Sequence, residues 1–191
     1  MPTKTPVAKA DELINPKLDE SYDPQSLIAL VPIHHNQVVA DVGSGPGWLS
    51  IPLAKYLYSG KLYAVDVQEG MLEKVAERAA GFRMYNLETV HSKESSVPLD
   101  DESLDGLVLS GTLNEATRAK SLLKDCARML KSSGWMAVVE WLPASGDDAA
   151  GPPAKQRIAM DDIAEMGVEL GLTKVRSRQI GAAHYVVIFK K

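Results

Sequence analysis

The sequence contains little cysteine, no long apolar run and no excess of positive charge. Its 191 residues include one cysteine, Cys126, which excludes an internal disulfide and is consistent with a reducing, cytoplasmic location. No apolar run approaches the length of a membrane-spanning helix, and the N-terminal residues lack the apolar core of a signal peptide. The net charge of −4 argues against nucleic-acid binding as the main task. These properties suit one globular domain with a sizeable core.

The central feature of the sequence is an apolar stretch that breaks into alternating glycines. Val38–Val42 precedes Gly43, Gly45 and Gly47, and a helical apolar pattern begins at Leu49. This pattern predicts a buried strand, a tight turn and a helix, the arrangement with which α/β proteins hold nucleotide-like ligands. Glycine allows a positive φ in the turn, and it lets the backbone approach a ligand because no Cβ stands in the way.

The spacing of the turn and the acid before it separate this motif from the dinucleotide fingerprint G-x-G-x-x-G. Asp41 lies two residues before the first glycine, where a pyrophosphate would be repelled and an ammonium group favoured. The pattern resembles motif I of the class I S-adenosylmethionine-dependent methyltransferases, which reads D/E-x-G-x-G-x-G. The resemblance implies S-adenosylmethionine as the cofactor, bound by Asp41, Gly43, Ser44, Gly45 and Gly47. The alternative is a glycine-rich turn that only joins a strand to a helix.

A second acid follows a second predicted strand, over residues 61–66. Asp66 ends this strand, at the position where nucleotide-binding α/β folds place an acid that accepts hydrogen bonds from ribose hydroxyls. The surrounding text resembles the second cofactor motif of the same methyltransferases, which implies that Asp66 holds the ribose and that Val67 and Met71 form an apolar wall for the adenine. The alternative for Asp66 is the N-cap of a helix over 69–80.

Three later positions complete the predicted cofactor site. Glu94 and Ser95 lie in the loop where the family usually has an adenine-binding acid, although the usual Gly-Asp-Ala text is absent and a solvated loop is the alternative. Ser110 ends the fourth strand, at the sheet edge where ligands bind. Asn114 stands where many similar proteins have a histidine, so no general base is predicted there, and no catalytic residue is assigned.

Other conspicuous residues have structural alternatives. Asp105 is expected to fix the entry of a strand, while Trp141 either faces a substrate or ends a buried strand. Arg157 either clamps an anionic substrate or braces a loop, and we favour bracing. His34 and His35 are neighbours in an extended link and point in opposite directions, so a solvated loop is expected there and no metal site.

The remaining periodicity predicts alternating strands and helices that end in a hairpin. Besides the strand before the glycine turn and a strand that ends near Trp141, the predicted strands cover residues 61–66, 83–90, 106–110, 172–180 and 184–190. Helices are expected from Asp23 to Pro32 and over 49–58, 69–80, 116–131 and 161–170. The resemblance to the methyltransferases implies that these elements form an α/β, Rossmann-like three-layer sandwich with a seven-stranded, mostly parallel sheet and an antiparallel last strand. A flexible tail over 1–20 precedes a single cofactor-binding domain over 21–191, with a loop near 19–23 over the ligand.

The activity that the resemblance implies is methyl transfer from the sulfonium of S-adenosylmethionine to a small or medium-sized acceptor. The sulfonium is a strong electrophile, so the protein mainly has to align donor and acceptor in a dry site. The sequence leaves open the acceptor, the atom that is methylated and the oligomeric state. Two alternatives remain: a non-catalytic cofactor-binding or scaffolding module on the same fold, and a nicotinamide-dependent oxidoreductase.

Overall fold

A seven-stranded sheet with helices on both faces forms the centre of the computed structural model, which describes residues 4–14, 22–143 and 151–191. The strand order is β3-β2-β1-β4-β5-β7-β6. Strands β1 to β5 are parallel, whereas β7 runs antiparallel to both of its neighbours. The predicted fold is confirmed, including its closing hairpin. The strands are β1 (Val38–Val42), β2 (Lys61–Asp66), β3 (Leu87–His91), β4 (Leu104–Ser110), β5 (Leu130–Trp141), β6 (Thr173–Ile180) and β7 (His184–Lys190).

Within the described ranges, five α-helices and two 3-10 helices surround the sheet. The first α-helix begins where predicted, because the Asp23 carboxylate accepts hydrogen bonds from the N–H groups of Gln25 and Ser26 and Pro24 occupies the first turn. The α-helices are α1 (Pro24–Leu30), α2 (Ser50–Tyr56), α3 (Glu69–Gly81), α4 (Ala119–Met129) and α5 (Met160–Glu169); the 3-10 helices are Val7–Ile14 and Ala154–Gln156. None of the helices in the described ranges is long and apolar enough to cross a membrane.

Two apolar clusters lie on opposite faces of the sheet. One joins α1 and α2 to the sheet through residues such as Leu27 and Leu53. The other joins α4 and α5 to the sheet, with Leu123, Cys126 and Ile163 fully buried. Cys126 is part of the core, and its burial raises the pKa of the thiol. Because both faces are covered, the ligand-binding surface is left to the edge of the sheet.

The entry of β4 is held by close packing and by one carboxylate. A Cβ at Gly106 would lie 2.1 Å from the Trp135 indole, so glycine is required for the ring to lie over the strand. The Asp105 carboxylate accepts a 2.8 Å hydrogen bond from the Val38 N–H and another of 2.8 Å from Lys131. Asp105 therefore fixes the start of the strand, as predicted.

Some element bounds differ from the predictions. β3 begins at Leu87 rather than residue 83, because Arg83 has a φ of 54° and the Asn86 amide donates to carbonyls at the end of α2. The expected flexible tail includes an ordered part, since Val7–Ile14 forms a 3-10 helix against α3. A Cβ at Gly70 would lie 2.9 Å from Val7, which shows how closely the two helices pack. Residues 1–3 and 15–21, including most of the predicted 19–23 loop, lie outside the described residues.

Candidate functional site

The carboxyl ends of the parallel strands meet at one edge of the sheet. There, β1, β2 and β4 end at Val42, Asp66 and Ser110, and the parallel pairing places these ends within one residue of each other. β5 ends at Trp141, which pairs with His184 at the beginning of the antiparallel β7. All five residues line one cavity of about 480 Å³. This edge is where open α/β sheets bind ligands, and it is the candidate site.

The glycine turn forms the floor of the cavity. Gly43, Gly45 and Gly47 all have positive φ values, of 77°, 50° and 84°. The N–H groups of Gly43 and Ser44 donate to the Val65 carbonyl at 2.8 and 3.0 Å, which ties the turn to β2. A Cβ at Gly43 would lie 2.3 Å from the Thr112 hydroxyl, so the turn also touches the loop after β4. At Gly43, both the positive φ and the nearby Thr112 side chain exclude a residue with a Cβ.

Asp41 lies beneath this turn with 1% of its surface exposed. Its carboxylate accepts a 2.6 Å hydrogen bond from the Ser50 hydroxyl at the start of α2. Burial raises the pKa of Asp41 to about 7, although the bond from Ser50 opposes the rise. A cation in the cavity would stabilise the charged form of this carboxyl, so Asp41 favours a positively charged ligand group.

Asp66 connects the end of β2 to the glycine turn. One carboxylate oxygen accepts the Gly45 N–H at 2.9 Å and the other accepts the Gln68 N–H, also at 2.9 Å. Burial raises the pKa of Asp66 while these backbone donors oppose the rise. Gln68 is itself the N-cap residue of α3, so Asp66 braces the turn before this helix and is not its N-cap. Its carboxylate is left at the cavity wall.

The structure brings most of the predicted cofactor residues together. Nine of them line the cavity: Asp41, Gly43, Ser44, Gly45, Asp66, Val67, Met71, Glu94 and Ser110. Gly47 does not line it, because it lies against α3, where a Cβ would be 3.1 Å from Val75. Ser95 is also outside the lining, in a turn closed by the Lys93–Ser96 bridge. These two residues shape the chain around the site and do not face the cavity.

Glu94 is engaged with neighbouring loops. Its carboxylate accepts a short hydrogen bond from the Thr117 N–H and lies 3.9 Å from Lys4. The bonds from Thr117 lower the pKa of Glu94, so this residue is an anion at neutral pH. Its place in the cavity wall keeps the adenine-binding hypothesis open, although its oxygens already have partners.

The loop after β4 is held by a buried carboxyl. Glu140, fully buried in β5, accepts the Leu113 N–H at 2.8 Å and the Asn114 side-chain amide at 2.5 Å. Burial raises the pKa of Glu140 to about 7, although these donors oppose the rise. Asn114 lines the cavity, and Glu140 lies behind it. Since the amide nitrogen of Asn114 is used by Glu140, the orientation of this amide at the cavity is fixed.

Sequence reasoning named Trp141 as a residue that either faces a substrate or ends a buried strand, but it missed the aromatic side of the cavity to which Trp141 belongs. We call the four rings of Tyr22, Trp48, Trp141 and His184 the ring wall; all four line the cavity. Tyr22 meets Trp48 edge-on at 4.8 Å and His184 at 5.2 Å, and His184 lies 4.1 Å from Trp141. The Tyr22 hydroxyl is 2.6 Å from the Ser110 hydroxyl. No local signal identifies Tyr22 or His184, because only the folded sheet brings them to Trp141.

The N-terminal segment also contributes to the cavity. Lys4, Thr5 and Leu13 are among its lining residues. The Thr5 hydroxyl donates a 2.8 Å hydrogen bond to Glu115, and the Thr5 carbonyl accepts a 3.0 Å bond from Gln68. The cavity is therefore covered on this side by residues that sequence reasoning assigned to a flexible tail.

The contacts of Arg157 and His35 show which of their expected roles the structure supports. Arg157 donates to the carbonyls of Pro152 and Leu142 at 3.0 and 3.1 Å, so it braces the loop beside Trp141, as favoured. His35 stacks on Tyr58 at 4.5 Å, away from the cavity. Within residues 4–14, 22–143 and 151–191, no group of three His, Cys, Asp or Glu side chains is arranged to hold a metal ion.

The chain is similar to known methyltransferases in both sequence and structure. It is 30% identical over 113 residues to a demethylmenaquinone methyltransferase of Clavibacter sepedonicus, an alignment that covers 59% of this chain and 44% of that protein. It is 26% identical over 111 residues to a ubiquinone/menaquinone biosynthesis C-methyltransferase of Escherichia fergusonii, with 57% and 44% covered. The alignments thus span less than half the length of these two relatives.

A solved structure matches nearly the whole chain. A protein from Aquifex aeolicus described as a SAM-dependent methyltransferase superposes with a TM-score of 0.91 at 26% identity, covering 98% of this chain and 99% of that one. The sequence profile of the family described as "Methyltransferase domain" matches residues 39–134, just over half of the chain, which include the glycine turn and Asp66. The resemblance seen in the motifs is thereby confirmed: this chain belongs to the methyltransferase-domain family.

Proposed function

We propose that this protein transfers a methyl group from S-adenosylmethionine to a small acceptor molecule. The observation that carries the proposal is the open glycine turn, which faces the cavity with Asp41 beneath it and Asp66 beside it. The family assignment and the similar structure support S-adenosylmethionine as the cofactor. Because the alignments cover less than half of the quinone-pathway relatives, their acceptors are not transferred to this chain.

The shape and chemistry of the cavity fit this cofactor. A Cβ at Gly45 would have only Leu13 within 4 Å, at 3.8 Å, so the backbone of the turn is open to a ligand. The Asp66 carboxylate accepts the N–H groups of Gly45 and Gln68, and its remaining acceptor capacity is available for a ribose hydroxyl. Val67 and Met71 offer an apolar surface next to Asp66 for the adenine. On this proposal Asp41 favours the cationic amino-acid end of the cofactor.

The bound cofactor supplies an electrophilic methyl group. The contribution of the chain is to hold the two reactants in line and to keep water out of the cavity. Thr5 and Leu13 close one side, and the ring wall closes the other. No residue is assigned a catalytic role. On this proposal the protein acts in the cytoplasm and has no nucleic-acid partner.

Asp41 separates this proposal from a nicotinamide-dependent oxidoreductase. A dinucleotide would place its pyrophosphate at the glycine turn, next to the buried carboxyl of Asp41. A nearby cation stabilises the charged form of this carboxyl, whereas a nearby anion destabilises it. Thermal unfolding with S-adenosylmethionine, S-adenosylhomocysteine and NAD, measured side by side, tests this point. A ligand at 100 times its Kd adds about 2.7 kcal/mol to the free energy of unfolding, or roughly 5–10 °C in Tm.

The expected result is a Tm increase with the two sulfur compounds and none with NAD. An increase with NAD alone, or no increase with any of them, contradicts the proposal. Release of S-adenosylhomocysteine in the presence of acceptor mixtures then separates an enzyme from a module that only binds the cofactor.

A further inference from the structure

The two edge strands of the sheet are protected to different degrees. Among the described residues, β3 pairs only with β2 and β6 only with β7, and an open strand edge pairs with other chains unless charges, proline or a bulge prevent it. β6 carries Lys174, Arg176 and Arg178, and its register shifts between the first two of these residues. β3 keeps a continuous register with β2 and contains no lysine, arginine or proline. β3 is therefore the edge that is open to a further strand.

Alternate residues of β3 direct their backbone groups away from the sheet. The Leu62 N–H donates a 2.8 Å hydrogen bond to the Asn86 carbonyl, just before β3. Just after β3, the Ser92 N–H donates a 2.9 Å hydrogen bond to the carbonyl at the end of β2. The even-numbered residues therefore bond to β2, and Thr89 at the centre of β3 directs its N–H and C=O outward. These groups are available to a further strand.

A crevice runs along this edge between α3 and β3. It is lined on the helix side by Ala76 and Ala80, and on the strand side by Tyr85 and Leu87. Tyr85 is 93% exposed, and Phe82, directly after α3, is 59% exposed. Two exposed rings in one turn, beside an open strand, indicate a surface that a partner protein covers.

The outward face of α3 has an acid at one end and a base at the other. Glu69 and Arg83 lie seven residues before and after Ala76, which is about two helical turns in each direction, and all three are exposed. An identical helix that runs antiparallel and crosses at Ala76 therefore places its Arg83 beside Glu69 and its Glu69 beside Arg83. The alanine side chains let the two helices approach closely. The face is thus complementary in charge to a second copy of itself.

The spacing of the strands also fits a second copy. α3 packs on both β2 and β3, so its axis lies about half a strand spacing, or ~2.4 Å, inside β3. A two-fold axis between β3 and the same strand of a second copy would lie ~2.4 Å outside β3. The two α3 helices would then be about 10 Å apart, at the upper end of the normal distance between packed helices. One arrangement therefore satisfies both the strands and the helices.

We infer that β3 and the outward face of α3 form an interface between two copies of this chain, related by a two-fold axis perpendicular to the sheet. The two β3 strands run antiparallel and join the two sheets, and the two α3 helices pack antiparallel on one face of the joined sheet. Glu69 of each copy faces Arg83 of the other. These residues are outside the lining of the cavity, so the inference is independent of the proposed function.

Sedimentation velocity of the full chain from ~5 to ~500 µM tests the inference, because an interface of one strand and one helix is small and is expected to have micromolar affinity. The expected result is a concentration-dependent equilibrium between monomer and dimer. A monomer over the whole range overturns the inference. An assembly larger than a dimer also overturns it, because a two-fold contact closes after two copies.

Charge reversal locates the contact between the helices. Arg83→Glu and Glu69→Arg should each raise the Kd of the dimer about 10-fold, because the contact occurs twice and is repulsive in either variant. Both substitutions in one chain should restore most of the affinity, since the facing charges are opposite again. Arg176→Glu, which reverses an exposed charge on the other edge strand, is the matched control and should leave the Kd unchanged. If the double variant does not recover affinity, the antiparallel placement is wrong.

Thr89→Pro tests the pairing of the strands. Proline removes an N–H that faces outward and leaves the hydrogen bonds to β2 in place, as edge strands tolerate. The variant should keep the circular dichroism of the wild type and sediment as a monomer, whereas a folded variant that dimerises normally contradicts pairing through β3. If Thr89→Pro does not fold, Tyr85→Ser decides the question, because it changes a side chain that is 93% exposed. This variant should raise the Kd of the dimer at least ~5-fold, and an unchanged Kd overturns the interface.

Discussion

Replacing Asp66 by alanine tests the cofactor site most directly. The carboxylate lies at the cavity wall and accepts the N–H groups of Gly45 and Gln68, and its remaining acceptor capacity is available for a ribose hydroxyl. A hydrogen bond to a charged group contributes about 1.5–3 kcal/mol. Loss of one such bond, with some disorder of the turn, should weaken the binding of S-adenosylhomocysteine roughly 10- to 150-fold.

Calorimetry at 25 °C measures this loss of affinity. A ligand analogue then distinguishes loss of the ribose hydrogen bond from disorder of the glycine turn. If Asp66 binds the ribose, removing the 2′-hydroxyl from S-adenosylhomocysteine should weaken its binding to the wild type much more than its binding to Asp66→Ala. If the substitution only loosens the turn, removing the 2′-hydroxyl should lower the affinity of both proteins by the same factor. Asp100→Asn, which changes an exposed carboxyl at the other end of the strands, is the matched control. Unchanged affinity in Asp66→Ala would refute the ribose role.

Three further predictions concern the turn, the buried carboxyl and the N-terminal segment. Gly45→Val should abolish cofactor binding in calorimetry, because its Cβ would point into the open cavity from a φ of 50°; normal affinity would refute the role of the turn. Burial raises the pKa of Glu140 to about 7, so the native state holds a proton that the unfolded chain releases above about pH 4.5. The wild type should therefore lose up to ~3 kcal/mol of unfolding free energy between pH 4.5 and 7.5 relative to Glu140→Gln, as measured by urea unfolding; parallel pH profiles would contradict this. Thr5→Val removes the hydrogen bond to Glu115 and should speed release of S-adenosylhomocysteine about 5-fold in stopped-flow experiments. An unchanged release rate would show that this segment does not restrain the ligand.

The fold was predictable because its signals are local and repeated. Strands such as Lys61–Asp66 are apolar and end in a polar residue, and helices such as Glu69–Gly81 have a clear apolar period. The errors occur where a tertiary contact overrides a local pattern. Val7–Ile14 has little sequence signal for order, and its packing against α3 decides its structure. Likewise, β3 begins late because Asn86 binds α2 instead of continuing the strand.

The sequence by itself determined the side of the cavity that holds the glycine turn, because Asp41, the glycines and Asp66 belong to one strand–turn–helix–strand unit with fixed local spacing. Only the tertiary structure assembled the ring wall. Tyr22, Trp141 and His184 come from distant parts of the chain, and they meet because β7 runs antiparallel beside β5 and α1 packs over the same edge. Cross-strand register and helix packing are long-range properties, which a local pattern does not encode.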